Sequence, residues 1–244
     1  MYSQIPVPKK SIRDDDMKGC IAFLPLVGVV IYAAQYYVNR TCVKYDVPIC
    51  ARAALFIIIP LVITGGFHID GFMDTCDAKR SYGSKEKRLE ILSDPHIGAF
   101  SVICLLMLTL AAFAGICIVI DRGGDAAFEC AALVFVSSRG MAALTSLFMK
   151  KAKNNGMLCC ETAINNTVIY CVLFLQTAAS FAAILYISPP FAALYVFVFA
   201  VFTVYYRRMT SSCFGGVTGD TAGFYVAGSE TAAIVAFALA TFFA

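Results

Sequence analysis

The sequence predicts an all-α protein, a polytopic integral membrane helix bundle with about six or seven transmembrane segments. Three observations lead there. Of 244 residues, 60% are hydrophobic and only 14% charged, and the mean hydropathy is +0.77, whereas soluble domains carry about 25% charged residues. Apolar runs close to the roughly 20 residues that a helix needs to cross the hydrocarbon core recur along the chain. The polar residues collect in a few short segments between those runs.

Residues 1–18 form a polar lead-in, with Lys9, Lys10 and Arg13 set against Asp14, Asp15 and Asp16. Residues 19–38 make the first span, interrupted only by Gln35, and Pro25 is tolerated near its start because the first turn needs fewer internal hydrogen bonds. A connector with Pro48 covers residues 40–52. The apolar run 53–63 is short for a crossing and reads equally as a buried or re-entrant helix ending near Gly65 and Gly66. Stronger spans follow at about 97–120 and 126–149, around a loop at 121–125. Residues 150–156 are basic and polar, and spans at about 164–187 and 191–206 flank the break at Ser188, Pro189 and Pro190. Arg207 and Arg208 are expected to end the latter span. A Gly-rich polar segment occupies 210–223, and residues 224–244 close the chain with Glu230 near an interface or facing protein, because an unpaired carboxylate in lipid is costly.

Eleven cysteines suggest neither a disulfide framework nor a zinc site: Cys104, Cys117, Cys130 and Cys171 stand singly in apolar runs, where they act as small hydrophobes. The net charge of +3 is modest and no basic domain is present, which excludes a nucleic-acid partner. No classical signal peptide is expected at the start. Seven crossings would put segments 67–96, 150–162 and 207–222 on one side. The stretch 79–90 holds five basic residues against two glutamates, and Lys150, Lys151, Lys153, Arg207 and Arg208 add to it. The positive-inside rule then makes this the cytoplasmic face of a multi-pass protein, with residues 1–244 forming one membrane-embedded domain.

Function concentrates in residues 65–98, GGFHIDGFMDTCDAKRSYGSKEKRLEILSDPHIG, which contain both histidines of the chain and four of its aspartates. Asp70 and Asp74 are four apart and Asp77 lies three further on, so a helix places all three on one face. Three like charges repel one another unless a cation lies among them, and Mg²⁺, held by carboxylates together with substrate phosphates, suits that donor set. The competing reading is a solvated helix start, where aspartates favour the dipole. His68 is a candidate to orient a carboxylate, bind substrate or assist proton transfer. Asp94 reads either as the cap of the next helix or, with His96, as a lip residue contacting a phosphate, a metal-bound water or an attacking hydroxyl. Neither histidine has a second histidine nearby, against a multi-histidine zinc site.

Residues 215–223, GGVTGDTAG, offer a supply of backbone N–H groups suited to phosphate, without the P-loop pattern. Gly215, Gly216, Thr218, Gly219 and Asp220 are its candidate binding residues, with Asp220 joining the metal or orienting a nucleotide; a plain interhelical turn is the alternative. Arg139, beside Ser138 in an apolar helix, needs an anion, which is either an internal carboxylate or a phosphate. Acids for a metal, bases for phosphate and a glycine loop describe phosphoryl-type transfer at a membrane face.

These motifs resemble the cobalamin-5'-phosphate synthase (adenosylcobinamide-GDP ribazoletransferase) family. Its GGxHxDGxxDTxD motif falls on Gly65 to Asp77, its DPHxGAF-like motif on Asp94 to Phe100, its SR pair on Ser138 and Arg139, and its GGxTGDxxG motif on Gly215 to Gly223. An IPVP element at Ile5 to Pro8 and PLVG at Pro25 to Gly28 extend the match over essentially the whole chain; Ala78 departs from a frequent glycine. The resemblance implies a prokaryotic cytoplasmic-membrane enzyme, with Mg²⁺ held by Asp70, Asp74 and Asp77. Adenosylcobinamide-GDP would be the donor and alpha-ribazole or its 5'-phosphate the acceptor, with GMP released. It assigns Asp94 or His96 to the hydroxyl, and Arg139 with the 215–220 loop to phosphate. Membrane lipids, a second copy of the chain and other cobalamin-assembly enzymes are the further expected partners. Two other classes fit clustered acids at a membrane: a CDP-alcohol-type phosphotransferase, whose usual acid pattern is absent, and a transporter.

Overall fold

The computed structural model describes residues 2–4, 19–153, 157–162 and 167–243; the IPVP element and most of the polar lead-in lie outside them. Among the described residues six helices are long and apolar enough to cross a membrane: α1 (Leu24–Lys44), entered through a 3-10 turn at Cys20–Phe23, then α5 (Ala99–Arg122), α6 (Gly124–Phe148), α8 (Thr167–Ile187), α9 (Pro189–Cys213) and α10 (Gly219–Ala240). Between α1 and α5 lie α2 (Ile49–Thr64), α3 (Phe67–Arg80) and α4 (Lys85–Ile91), and α7 (Met157–Thr162) precedes α8. No strand occurs among the described residues, which leaves one isolated bridge between Lys151 and Val217. Cys42, Cys76 and Cys130 are buried thiols outside any disulfide.

Several boundaries move from where the sequence put them. α1 runs on through Arg40 to Lys44, so the connector shrinks to residues 45–48. The 121–125 loop collapses to Gly123, with α6 starting at a left-handed Gly124. Pro189 and Pro190 begin α9 rather than precede it, since the first turn has no partner for the N–H they lack. Arg207 and Arg208 do not end α9; it continues to Cys213. The Gly-rich segment is correspondingly short, because Gly219 to Gly223 already belong to α10.

The apolar run 53–63 is part of α2, and α2 and α3 form a broken pair bent by 95°. The bend has a local cause: Gly65 and Gly66 both adopt left-handed φ, 64° and 79°, which a side chain at either position would resist. The bend swings α3 across the end of α2. With Asp70, Asp74, Asp77, Lys79 and Arg80 in fourteen residues, α3 is too charged to face lipid by itself, and the bent α2–α3 pair stands beside the six spans as a broken or re-entrant segment.

Pro60 sits inside α2 and cannot donate to the carbonyl of Phe56. Gln35, the lone polar interruption of α1, is buried and donates its amide to that carbonyl at 3.0 Å. On the same two helices Arg52 makes a fork onto Asn39 Oδ1 at 3.0 and 2.8 Å.

The centre of the bundle is α6, the most enclosed span, followed by α10. Gly28 of α1 permits close approach to α6, where a Cβ would stand 2.4 Å from the Phe135 carbonyl oxygen. The apolar core joins Ile31, Phe56, Phe128, Phe135, Tyr225 and Phe237 from four helices. α10 packs against α3, α5, α6 and α9, so its N-terminus and α3 meet at one end of the bundle.

Candidate active site

α3 and α10 cross almost backbone to backbone. A Cβ on Gly71 would lie 2.7 Å from the Asp220 carbonyl oxygen, and one on Gly223 would lie 2.8 Å from that of His68. The two glycine-bearing motifs, 150 residues apart in sequence, are therefore one structural joint. It brings Asp220 to the acids of α3: the charges of Asp70, Asp220 and Asp77 all act on Asp74, whose pKa is pushed up to about 6, by partial burial first and by those three neighbours after it.

Among the described residues no three His, Cys, Asp or Glu side chains are gathered tightly enough to hold a metal as they stand. Asp77 is committed elsewhere: its two carboxylate oxygens accept from the Gly98 N–H at 2.8 Å and the Ser101 N–H at 3.0 Å, capping α5. The cap of the helix after the charged segment is thus Asp77 and not Asp94. Hard carboxylate oxygens from Asp70, Asp74 and Asp220, crowded without a paired cation between them, fit the donor set of Mg²⁺, which completes its shell with water and phosphate oxygens.

Asp94 and His96 form a dyad at the exposed lip. Asp94 Oδ1 accepts the His96 backbone N–H at 3.0 Å and lies 2.6 Å from His96 Nδ1. Those contacts, the backbone N–H first, hold the Asp94 carboxyl below its usual range. With Nδ1 occupied, Nε2 is the free nitrogen of a largely exposed imidazole.

The 215–220 loop differs from the expected cradle. The N–H groups of Gly216, Val217 and Thr218 are taken by the Thr210 carbonyl, the Lys150 carbonyl and Thr221 Oγ1. Thr218 and Thr221 form a reciprocal capping box that starts α10. Gly215 has φ 78° and carries the Lys85 side chain nearby, while Gly216 is wedged against Lys150 and Lys151 backbone, 2.4 Å from a built Cβ. The loop is a rigid joint for α10, and only Gly219 among these opens on empty space.

Arg139 is not at this face. It is buried in α6 and pairs with Glu230 of α10 at 2.6 Å, with Ser138 donating to the same carboxylate oxygen at 2.7 Å. Glu230 stands ten residues after Asp220, about 15 Å deeper along α10 at 1.5 Å per residue. The internal-carboxylate reading of Arg139 is the one realised. His68 is buried beneath α3, and its Nε2 has no hydrogen-bond partner.

Sequence reasoning used the basic residues only for orientation, and two of them are at the site. Lys153 Nζ donates to Ser93 Oγ at 2.7 Å and is among the charges that act on Asp220. Lys85 Nζ donates to the Ser211 carbonyl at 3.0 Å beside Gly215. The place of Lys153 follows from the Lys150–Val217 pairing, a contact with no signature in spacing.

A family model described as cobalamin-5-phosphate synthase matches residues 1–238. A protein of Lachnoclostridium phytofermentans named adenosylcobinamide-GDP ribazoletransferase is 32% identical over 98% of this chain and 91% of its own length. Proteins of the same name from Clostridium botulinum and Acinetobacter baumannii are 29% and 26% identical, over 92% and 98% of this chain and 88% and 94% of theirs. No solved structure matches the chain.

Proposed function

Because the chain belongs to the cobalamin-5-phosphate synthase family, we propose that it transfers the cobinamide phosphate group of adenosylcobinamide-GDP to the hydroxyl of alpha-ribazole or alpha-ribazole 5'-phosphate, with Mg²⁺. GMP leaves, and adenosylcobalamin or its 5'-phosphate is formed. The observation that carries the reading is the meeting of Asp220 with Asp70 and Asp74 at the glycine joint of α3 and α10. It unites the two acid-bearing motifs at a face rich in lysine and arginine.

Asp70, Asp74 and Asp220 would hold Mg²⁺, with Asp77 fixing the end of α5 beside them. The cation supplies charge neutralisation to the diphosphate. Lys153 and Lys85 bind phosphate oxygens from either side of the joint. The acceptor hydroxyl oxygen forms a bond to the cobinamide-bearing phosphorus as the bond to GMP breaks, the electron pair leaving on the GMP phosphate. His96 Nε2 takes the hydroxyl proton, and Asp94 keeps the imidazole in the tautomer that leaves Nε2 as acceptor. The basic side chains of this face support a cytoplasmic location in a prokaryotic membrane, and residues 1–244 act as one domain.

The test is GMP release by the purified protein in nanodiscs, given adenosylcobinamide-GDP and alpha-ribazole 5'-phosphate, with and without Mg²⁺. Acceptor-dependent GMP with a joined corrinoid product is expected. Folded protein that yields neither would refute the assignment.

A further inference from the structure

Beneath α3 lies a partly open cavity of about 230 Å³ lined by α2, α5, α6 and α10. Most of its wall is apolar, with Phe56, Leu61, Leu108, Phe135, Ala227 and Ile234 contributing from all four helices. One patch is not. His68, Arg139 and Glu230 all line it, and both His68 Nε2 and Arg139 Nε are buried without a hydrogen-bond partner. His68 is 6% exposed and Arg139 2%. Buried polar atoms left unpaired cost about 1–3 kcal/mol each, so the unpaired His68 Nε2 points to a ligand that completes it.

Three properties fix the class of that ligand. The Arg139–Glu230 pair at 2.6 Å already balances its own charge, so a neutral molecule is accommodated and an ion is not. An apolar cavity of about 150 Å³ takes one benzene ring, so 230 Å³ suits a fused bicycle and excludes a corrin. An unpaired His68 Nε2 among the lining residues calls for a ring heteroatom rather than a hydrocarbon chain. The cavity also lies close to the acids, because Asp70 follows His68 by two residues, about 3 Å along the α3 axis.

We infer that this cavity binds the heteroaromatic base of the acceptor nucleoside, with His68 Nε2 facing the one ring nitrogen that the ribose leaves free. The inference rests on the transferase reading above and adds to it a base-binding subsite inside the bundle.

Benzimidazole is the probe, a neutral bicycle with one ring donor and one ring acceptor. Equilibrium dialysis against the full chain in nanodiscs should show saturable binding near one per chain. Thr109→Phe, which fills the cavity from a half-buried position of its wall, should weaken that binding at least tenfold, as should His68→Ala. In turnover, benzimidazole should raise the KM for alpha-ribazole 5'-phosphate without raising that for adenosylcobinamide-GDP. A second filling variant, Ala112→Leu, stands in if Thr109→Phe does not yield folded protein. Absence of saturable binding to protein that releases GMP overturns the subsite while leaving the transferase reading intact. Binding that survives both filling variants, or that a fatty acid displaces as readily as alpha-ribazole does, overturns it in favour of another site or an acyl-chain occupant. Protein that binds benzimidazole but releases no GMP refutes the transferase reading instead.

Discussion

The Asp77 carboxylate sits on the N-terminus of α5 so closely that Gly98 is the residue its position requires: a Cβ at 98 would lie 2.5 Å from Asp77 Oδ1. The contact ties the acid helix to a membrane span and spends the lone pairs of one acid on two backbone N–H groups. Asp77→Ala should therefore cost about 0.5–2 kcal/mol, the usual value of a helix cap, and lower the Tm measured in nanodiscs. Asp77→Asn, which keeps one acceptor oxygen, should fall between. Asp74→Asn, which relieves a crowd of like charges, should not lower Tm but should remove turnover. Equal Tm for Asp77→Ala and the parent protein would show that the cap contributes nothing.

The crowding of Asp74 predicts a pH dependence. Its pKa is pushed up to about 6 by partial burial and by Asp70, Asp220 and Asp77. A raised carboxyl pKa means that protons compete with a cation until the pH exceeds it. Apparent Mg²⁺ affinity should be flat above about pH 7 and fall below pH 6, approaching tenfold per pH unit as the site protonates. Asp74→Asn should abolish the slope. Titrating Mg²⁺-dependent GMP release at several pH values measures both, and a slope that persists in Asp74→Asn would assign the proton elsewhere.

Much of the architecture is legible in the sequence because lipid imposes length and polarity on each span. Helix ends are less so. Arg207 and Arg208 look like a stop, yet α9 continues past them because their long side chains extend from its surface at the charged face. Arg139 and Glu230 each announce themselves as lone charges in apolar helices, and opposite charges in one bundle are expected to pair. The pairing across 91 residues could have been drawn from that signal alone. The acids of α3 were visible by spacing, whereas the role of Asp77 on α5 and that of Lys153 beside Asp220 depend on tertiary approach. The glycine loop is less legible for a physical reason: the N–H groups of Gly216, Val217 and Thr218 are taken by the Thr210 and Lys150 carbonyls and by Thr221 Oγ1.

The Gln35–Pro60 relationship gives a cycle that isolates one hydrogen bond. Gln35→Leu strands the Phe56 carbonyl, because Pro60 has no N–H to offer, and should cost about 1–3 kcal/mol. In a Pro60→Ala background the new N–H of residue 60 can serve that carbonyl within α2. The same Gln35→Leu change should then cost much less. Thermal unfolding of the four proteins in nanodiscs measures the coupling, and additive effects would show that the two residues act independently.

The Asp94–His96 dyad predicts which of its members moves the proton. Asp94 is held below its usual carboxylate range by the His96 backbone N–H and imidazole, which makes it a weak base that stays ionised across the working range. His96 has its Nδ1 engaged 2.6 Å from Asp94 and its Nε2 free at the exposed lip. His96→Ala should reduce kcat by about 10²–10⁴-fold, the usual contribution of a general base. Asp94→Asn keeps a side-chain acceptor but withdraws the negative charge, and should reduce kcat less, because Nε2 stays free to take the proton. An unchanged kcat in His96→Ala would exclude the histidine as base. A kcat lost with Asp94→Asn and retained in His96→Ala would give the role to the carboxylate.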